Sequence, residues 1–477
     1  MSAPLHIPAL RLGKPYESLD TSSVSDFRTG QELAKLSVVN AGLLRRDLAK
    51  LDAARAALAK LSVAKLLEIC AQAGELFLKG TLPLGAQTQS AEQYIEQLAA
   101  TSGLPYRMVR ANMAKIHTNL VQMPVILKGL TRGLDLRVLD EGLGEQDGVA
   151  VSYYPVTSAL GAVLPSNSPG VNSLWLPAIA LKTPVVLKPG REEPWTPYRL
   201  IQAFIKAGCP AEAFGFYPTD HEGAGAILKA CGRSLLFGDT GTTAPYANDP
   251  KVQCHGPGYS KVLIGNDEIE RWREHLDVIA ASIGENGGRS CVNASAVYVP
   301  KYGREIAEAL AQKLGPLAPC KATDERAALS GFANPKMAEW IETTIEEGLQ
   351  TPGAEDLAAK HRGGPRKANF EGAFFLRPTI VYCESISHPL ANREFLFPYA
   401  SVVELPQDQM LEVMGHSLVV TAITKDPAFT RKLLASPLIG RLNLGSIPTM
   451  QVRWDQPHEG NLFEFLYQRR AIQKASA

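Results

Sequence analysis

The chain has 477 residues, enough for two or three domains rather than a single core. Apolar residues make up 45% and charged residues 20%, and 49 Lys and Arg against 48 Asp and Glu leave a net charge of +1. That balance excludes a disordered or fibrous chain and argues against a protein that grips nucleic acid or an anionic membrane by charge alone.

The opening MSAPLHIPALRLGKPYESLD has no basic segment followed by an apolar core, so no secretory signal is expected. Seven cysteines are scattered, odd in number and without a CxxC pair, which predicts a reducing, cytoplasmic setting with neither a disulfide framework nor a structural zinc site. His388 and His458 flank prolines without metal-ligand spacing, so no metal is assigned.

From 30 to 78 the pattern reads as helical, with Leu44, Leu48, Leu51, Leu58 and Leu61 on one stripe, and a second helical block spans 91–127. Residues 135–155 read as a hairpin turning at Asp147-Gly148. The stretch 148–181 carries no Asp, Glu, Lys or Arg, but Pro155, Pro165, Pro169 and Pro177 interrupt it, so buried strands and turns fit better than a membrane span. ALGAVLP, TPVVLKP and SLLFGDTG then alternate with helical stretches, which implies a parallel, doubly wound sheet whose ligands bind beyond the carboxyl ends of the strands. The second half repeats the theme with KVLIG, SAVYVP and TAITKD, while 319–367 reads as irregular.

Three segments carry chemistry. In ENGGRSCVNASAVYVP, Cys291 follows a Gly-Gly turn and directly precedes a strand, the place for an exposed thiol. Asn167 lies in a proline-bounded loop after a strand, where its amide can donate to charge developing on a substrate oxygen. Lys188 ends the strand in VVLKPG within reach of a ribose or phosphate, and LLFGDTGTTAPYA presents N–H groups after a strand.

In this order the segments resemble the aldehyde dehydrogenase superfamily from about Ala53 to Gly445. The resemblance implies an α/β fold of two doubly wound domains plus an oligomerisation hairpin: a dinucleotide-binding domain over 1–253, with the hairpin 135–155 as its arm, a catalytic domain over 254–445, and a tail over 446–477 that serves as an interface. Asn167 in PSNSP matches the oxyanion asparagine of PWNFP, and Lys188 matches the adenosine-ribose lysine of KPSE. Thr240 in FGDTGTTA matches the phosphate contact of FTGSTxxG, and Cys291 matches the catalytic cysteine of NxGQxC. Glu394 in REFLFP matches the glutamate that holds the nicotinamide ribose, with Leu396 in place of a phenylalanine. Val171, Asn172 and Trp175 match the substrate tunnel.

Two departures qualify the match. His255, in HGPGYSK, stands where the family's ELGGK supplies a hydrolytic glutamate, and either acts as the base or merely fills the space. Glu285 is a further carboxylate near Cys291, read as a solvated turn residue. Arg191 stands where KPSE carries a glutamate that bonds the cofactor's ribose, which favours NADP at least as much as NAD. The resemblance implies NAD(P)-dependent aldehyde oxidation through a Cys291 thioester, with release to water or to coenzyme A. Reduction of an acyl thioester, or a noncatalytic dinucleotide-binding relative, remain the alternatives. Partners are then a small aldehyde or acyl thioester and further copies of the chain as a dimer or tetramer, since an isolated hairpin needs a surface to pack on. No nucleic acid or membrane partner is expected.

Overall fold

A computed structural model describes residues 5–473. The first four residues, where the first domain and the signal-free start were read, and residues 474–477 of the tail lie outside the described residues.

Two seven-stranded sheets organise the chain. The first sheet runs in the order Val252–His255, Arg233–Phe237, Leu160–Val163, Val185–Lys188 and Phe214–Phe216, all parallel. Ala9–Arg11 and Lys14–Tyr16 extend it in antiparallel fashion. Its inner strands are short, almost wholly apolar and buried on both faces, as a helix-covered parallel sheet requires. Helices Val63–Lys79 and Trp195–Lys206 are among those that cover it. The chain winds outward from Leu160–Val163 in one direction and then returns to build the other half, so a crevice opens at the carboxyl ends of Leu160–Val163 and Arg233–Phe237.

The second sheet contains Thr379–Cys383, Tyr399–Glu404, Ala294–Val299, Ser260–Ile264, Ser417–Ile423 and Ile439–Leu444 in parallel, with Ala354–Asp356 antiparallel at one edge. The first sheet ends at His255 and the second begins at Ser260. The exchange between sheets therefore falls slightly beyond the expected division at 253/254.

Other expectations shift as well. The expected helical block at 30–78 begins with strand Glu32–Ser37, which pairs with Thr21–Ser25, and helices occupy Ala41–Leu48, Leu51–Ala59 and Val63–Lys79. The block at 91–127 is three helices, the first closed by a capping box between Ser90 and Gln93 and stopped at Gly103. Only glycine serves there, because φ is +81° and a Cβ would lie 2.1 Å from the Gly331 carbonyl oxygen. The segment expected to be irregular holds helix Pro335–Leu349, started by Asn334 as cap and Pro335 in the first turn.

The hairpin is Leu143–Gln146 against Val149–Pro155, preceded by a helical turn at Val138–Glu141. A third strand, Tyr467–Arg470 of the tail, pairs with Val149–Pro155. The tail thus completes a sheet within its own chain. Among the described residues no helix is long and apolar enough to cross a membrane.

Candidate functional site

Cys291 stands at the amino end of strand Ala294–Val299, after a turn in which Asn286, Gly287 and Gly288 all take positive φ. The turn packs too tightly for side chains, since a Cβ on Gly288 would lie 2.3 Å from the Phe397 carbonyl carbon. Gly258 makes a second close approach, where a Cβ would meet the Cys291 carbonyl oxygen at 2.0 Å, and Ser260 Oγ donates to that oxygen at 2.8 Å.

Hydrogen bonds tie this turn to the loop after Leu160–Val163. Asn112 Nδ2 donates to Asn286 Oδ1 at 2.8 Å, and Asn286 Nδ2 donates to Ser290 Oγ at 3.0 Å and Ser168 Oγ at 3.3 Å. Asn167 Nδ2 donates to the Arg289 carbonyl at 2.8 Å, which uses one of its two amide hydrogens and leaves the other. Cys291 and Asn167 line one cavity of about 380 Å³, together with Lys115, Val171, Leu174 and Glu459.

The tunnel residues divide by the pitch of the segment that carries them. Pro169–Leu174 is a 3-10 turn, in which positions three apart share a face. Val171 and Leu174 therefore face the cavity, whereas Asn172 and Trp175 turn into the core. Trp175 Nε1 donates to Asn172 Oδ1 at 2.9 Å, and its ring packs toward Phe204. Asn172 and Trp175 are thus corrected from cavity lining to the core behind it, with Leu174 in their place.

His255 ends its strand with its ring stacked on Phe237, centroids 4.5 Å apart and planes 14° from parallel. Its Nδ1 meets Glu459 Oε2 at 2.6 Å, while Nε2 is buried and unpartnered. This fits an imidazole that donates from Nδ1. The ring lies in a second cavity beside the one that holds Cys291. The group that reaches the thiol is Glu459, whose Oε1 accepts from Cys291 Sγ at 3.9 Å.

Glu459 lies in the tail, beyond the stretch that carried the resemblance, and no pattern at QPHEG marks it. Gly460 lets the tail cross the strand of His255: its φ is +92°, and a Cβ would stand 2.3 Å from Gln253 Nε2. Gln253 in turn donates to the Glu459 carbonyl. Burial alone would raise the Glu459 carboxyl, but the hydrogen bond from His255 and the Lys115 cation hold it below its ordinary range. His458 is pushed down to about 3, chiefly by burial, and is therefore neutral, which suits its Nδ1 to accept from Arg441 at 2.7 Å. Burial, then the Glu459 and Glu394 carboxylates, push the Cys291 thiol well up, so it rests protonated. Glu285 is exposed at the rim of the same cavity.

The crevice of the first sheet forms a larger cleft of about 1010 Å³, lined by Val163, Lys188, Arg191, His221, Phe237 and Asp239 among others. Its place at the reversal of strand order, its apolar floor and its two cations suit a dinucleotide. Lys188 is held below its ordinary range by burial. Thr240 is exposed at the start of the short helix Thr240–Thr243, where its neighbours Asp239, Gly241 and Thr242 line the cleft. Glu394 and Leu396 do not line it. The Glu394 carboxylate accepts from the N–H groups of Gly258 at 3.2 Å and Tyr259 at 2.5 Å, and burial pushes it up to about 7.

Asp239 stands where the family's FTGST has glycine, and its Oδ1 accepts from the Thr242 N–H at 2.8 Å, which holds the carboxyl low. The negative charge lines the cleft, where it would repel the phosphates of a dinucleotide bound there. Asp239→Asn keeps the capping acceptor and removes the charge, so it is expected to lower KM for the dinucleotide about fivefold, the effect of roughly 1 kcal/mol between charges near 4 Å in water. Initial rates across dinucleotide concentrations check this; an unchanged or higher KM contradicts it.

The chain belongs to the aldehyde dehydrogenase family, which residues 20–417 match. Solved structures share the fold over nearly the whole chain. The aldehyde dehydrogenase KauB from Pseudomonas aeruginosa superposes with a TM-score of 0.80 at 15% identity, covering 98% of this chain and 97% of its own. A Bacillus cereus aldehyde dehydrogenase in complex with NAD+ gives 0.77 at 17% identity, covering 98% and 96%. A relative from Staphylococcus haemolyticus, provisionally named an aldehyde dehydrogenase, is 25% identical over 316 residues, 63% of this chain. The match spans 65% of that relative's length.

Proposed function

We propose that this protein oxidises an aldehyde with NAD or NADP through a covalent intermediate on Cys291. The observation that carries this reading is the shared cavity in which the Cys291 thiol and the Asn167 amide lie on walls joined by hydrogen bonds. Cys291 gives up its thiol proton to Glu459 Oε1, which passes it on to solvent, and attacks the carbonyl carbon to form a thiohemiacetal whose oxyanion takes a hydrogen bond from the free N–H of Asn167. Lys188, Arg191 and the N–H groups after Asp239 hold the dinucleotide in the adjoining cleft, and when bound it supplies the hydride acceptor. The resulting thioester on Cys291 is then released. Val171 and Leu174 shape the apolar side of the aldehyde site.

Arg191 and Lys188 together support acceptance of NADP, because a 2′-phosphate gains charge-assisted contacts there. Structures of the same fold solved in complex with NAD+ and with NADP support this reading. Arg191→Glu is expected to shift the ratio of kcat/KM between the two cofactors at least about tenfold toward NAD, the equivalent of about 1.4 kcal/mol. An unchanged ratio removes Arg191 from cofactor selection. The open edges of the hairpin sheet, Leu143–Gln146 and Tyr467–Arg470, and the exposed Val149 support the reading that a second subunit pairs there.

Release to coenzyme A is the second reading, and the carboxylate beside Cys291 favours water. One panel of aldehydes run with NAD or NADP, each with and without coenzyme A, tests both. Free acid formed at a rate indifferent to coenzyme A supports the hydrolytic reading. An absolute requirement for coenzyme A selects the acylating one, and dinucleotide binding without turnover selects a noncatalytic relative.

A further inference from the structure

The Cys291 thiol has one carboxylate oxygen in contact, and it comes from the far end of the chain. Glu459 is almost fully enclosed, and its two oxygens face different partners: Oε2 is held by His255 Nδ1 at 2.6 Å, while Oε1 faces Cys291 Sγ at 3.9 Å. His458 Nε2 also lies 3.8 Å from Oε1, too long for a hydrogen bond between nitrogen and oxygen. One oxygen is anchored and the other is free to take a proton at the sulfur. Both Glu459 and Cys291 line the same cavity, which is roomy enough for water as well as a substrate. The anchor is stiff on every side. Phe237 stacks on the imidazole, Gln253 holds the Glu459 carbonyl, and Gly460 lets the segment lie flat on the strand below.

We propose that Glu459 is the base that activates water to hydrolyse the acyl group on Cys291, and that His255 serves as its positioning residue. This rests on the reading of Cys291 as nucleophile. In the step, Oε1 takes a proton from water as the water oxygen bonds to the thioester carbonyl carbon. The C–S bond then breaks, the sulfur leaves as thiolate, and the proton on Glu459 returns to it, so free acid and thiol are formed without any change of oxidation state. Charged groups that face Glu459 from the packed elements are Lys115 on helix Tyr106–Val121 and Arg441 on strand Ile439–Leu444, and their cationic field keeps the carboxylate ionised. The base form is thus present throughout neutral pH.

The test needs no dinucleotide. The parent, Glu459→Gln, Glu459→Asp, His255→Asn, His255→Phe and Cys291→Ala are acylated with p-nitrophenyl acetate at pH 9, moved to pH 7, and followed by intact mass for loss of the acetyl group. The parent should shed it at a rate that is flat from pH 6 to 8. Glu459→Gln should take up one acetyl group and lose it at least about 100-fold more slowly, with a rate that climbs with pH as hydroxide replaces the missing base. Glu459→Asp should fall between them. His255→Asn, whose amide still donates to the carboxylate, should keep more activity than His255→Phe, a split that mere filling of space would not produce. Acetyl loss from Glu459→Gln within threefold of the parent overturns the proposal while leaving the nucleophile intact. Equal acetylation of the parent and Cys291→Ala instead overturns the reading of Cys291 itself.

Discussion

Cys291→Ala is expected to lower aldehyde-dependent NAD(P) reduction by roughly 10³-fold or more, the scale of losing a covalent nucleophile. The loss should fall on kcat, with dinucleotide binding within twofold of the parent, because Cys291 lies outside the lining of the cofactor cleft. Six other cysteines offer no substitute: Cys70, Cys209, Cys231 and Cys383 are buried, and Cys254 and Cys320 lie outside the lining of the Cys291 cavity. Burial pushes the Cys70 and Cys231 thiols up to about 12. The fold should survive the change, since the residue contributes its carbonyl rather than its sulfur to the Ser260 hydrogen bond. Stopped-flow absorbance of the reduced cofactor and fluorescence titration of the dinucleotide give both quantities. Retention of more than a tenth of the parent rate removes Cys291 from the chemistry.

Asn167→Ala is expected to cost about 10²–10³-fold in kcat, the usual effect of deleting one oxyanion donor. The reasoning is differential. A neutral carbonyl oxygen gains little from the amide, whereas the oxyanion of the thiohemiacetal gains a charge-assisted bond. KM for the aldehyde should therefore change less than kcat. Asn167 also donates to the Arg289 carbonyl, so part of any effect could come from a loosened loop. A thermal unfolding measurement separates the two: one lost hydrogen bond corresponds to about 1 kcal/mol. A variant with the parent's kcat would contradict the oxyanion role, and a loss of kcat that tracks a loss of fold would assign Asn167 to loop structure.

Where a candidate residue depends on local chain, its place in the fold was legible. Cys291, Asn167 and Lys188 each lie within a few residues of a strand end and of a Gly or Pro, so a short window displays both the strand and the turn. The uncharged stretch 148–181 read correctly as strands and turns for the same reason. Asn172 and Trp175 match the family's tunnel by resemblance, and a resemblance does not reveal that the segment winds with three residues per turn, which rotates them into the core. Glu394 shows a different limit: a motif names the residue, but the backbone N–H groups of Gly258 and Tyr259 decide where its carboxylate rests.

Glu459 was out of reach of any local pattern. It meets Cys291 across 168 positions of sequence, in a tail that resembled nothing upstream. Its recruitment depends on Gly460, on the strand Tyr467–Arg470 that docks the tail against the hairpin, and on His255 standing where a family motif leads one to expect a carboxylate. The histidine and the distant glutamate form one arrangement. The sequence position shows a histidine where the family has a glutamate, while the fold brings a distant carboxylate between that histidine and Cys291.

The proposed oxidation requires an acyl group to pass through Cys291. Rapid mixing of the parent with an aldehyde it turns over and its preferred dinucleotide, followed by acid quench, digestion and mass spectrometry, would trap that group. A burst of reduced cofactor approaching one per active subunit is expected, with the matching acyl mass on the peptide that contains Cys291 and on no other cysteine. Cofactor reduction without that acyl peptide, or the same adduct on a different cysteine, would contradict it.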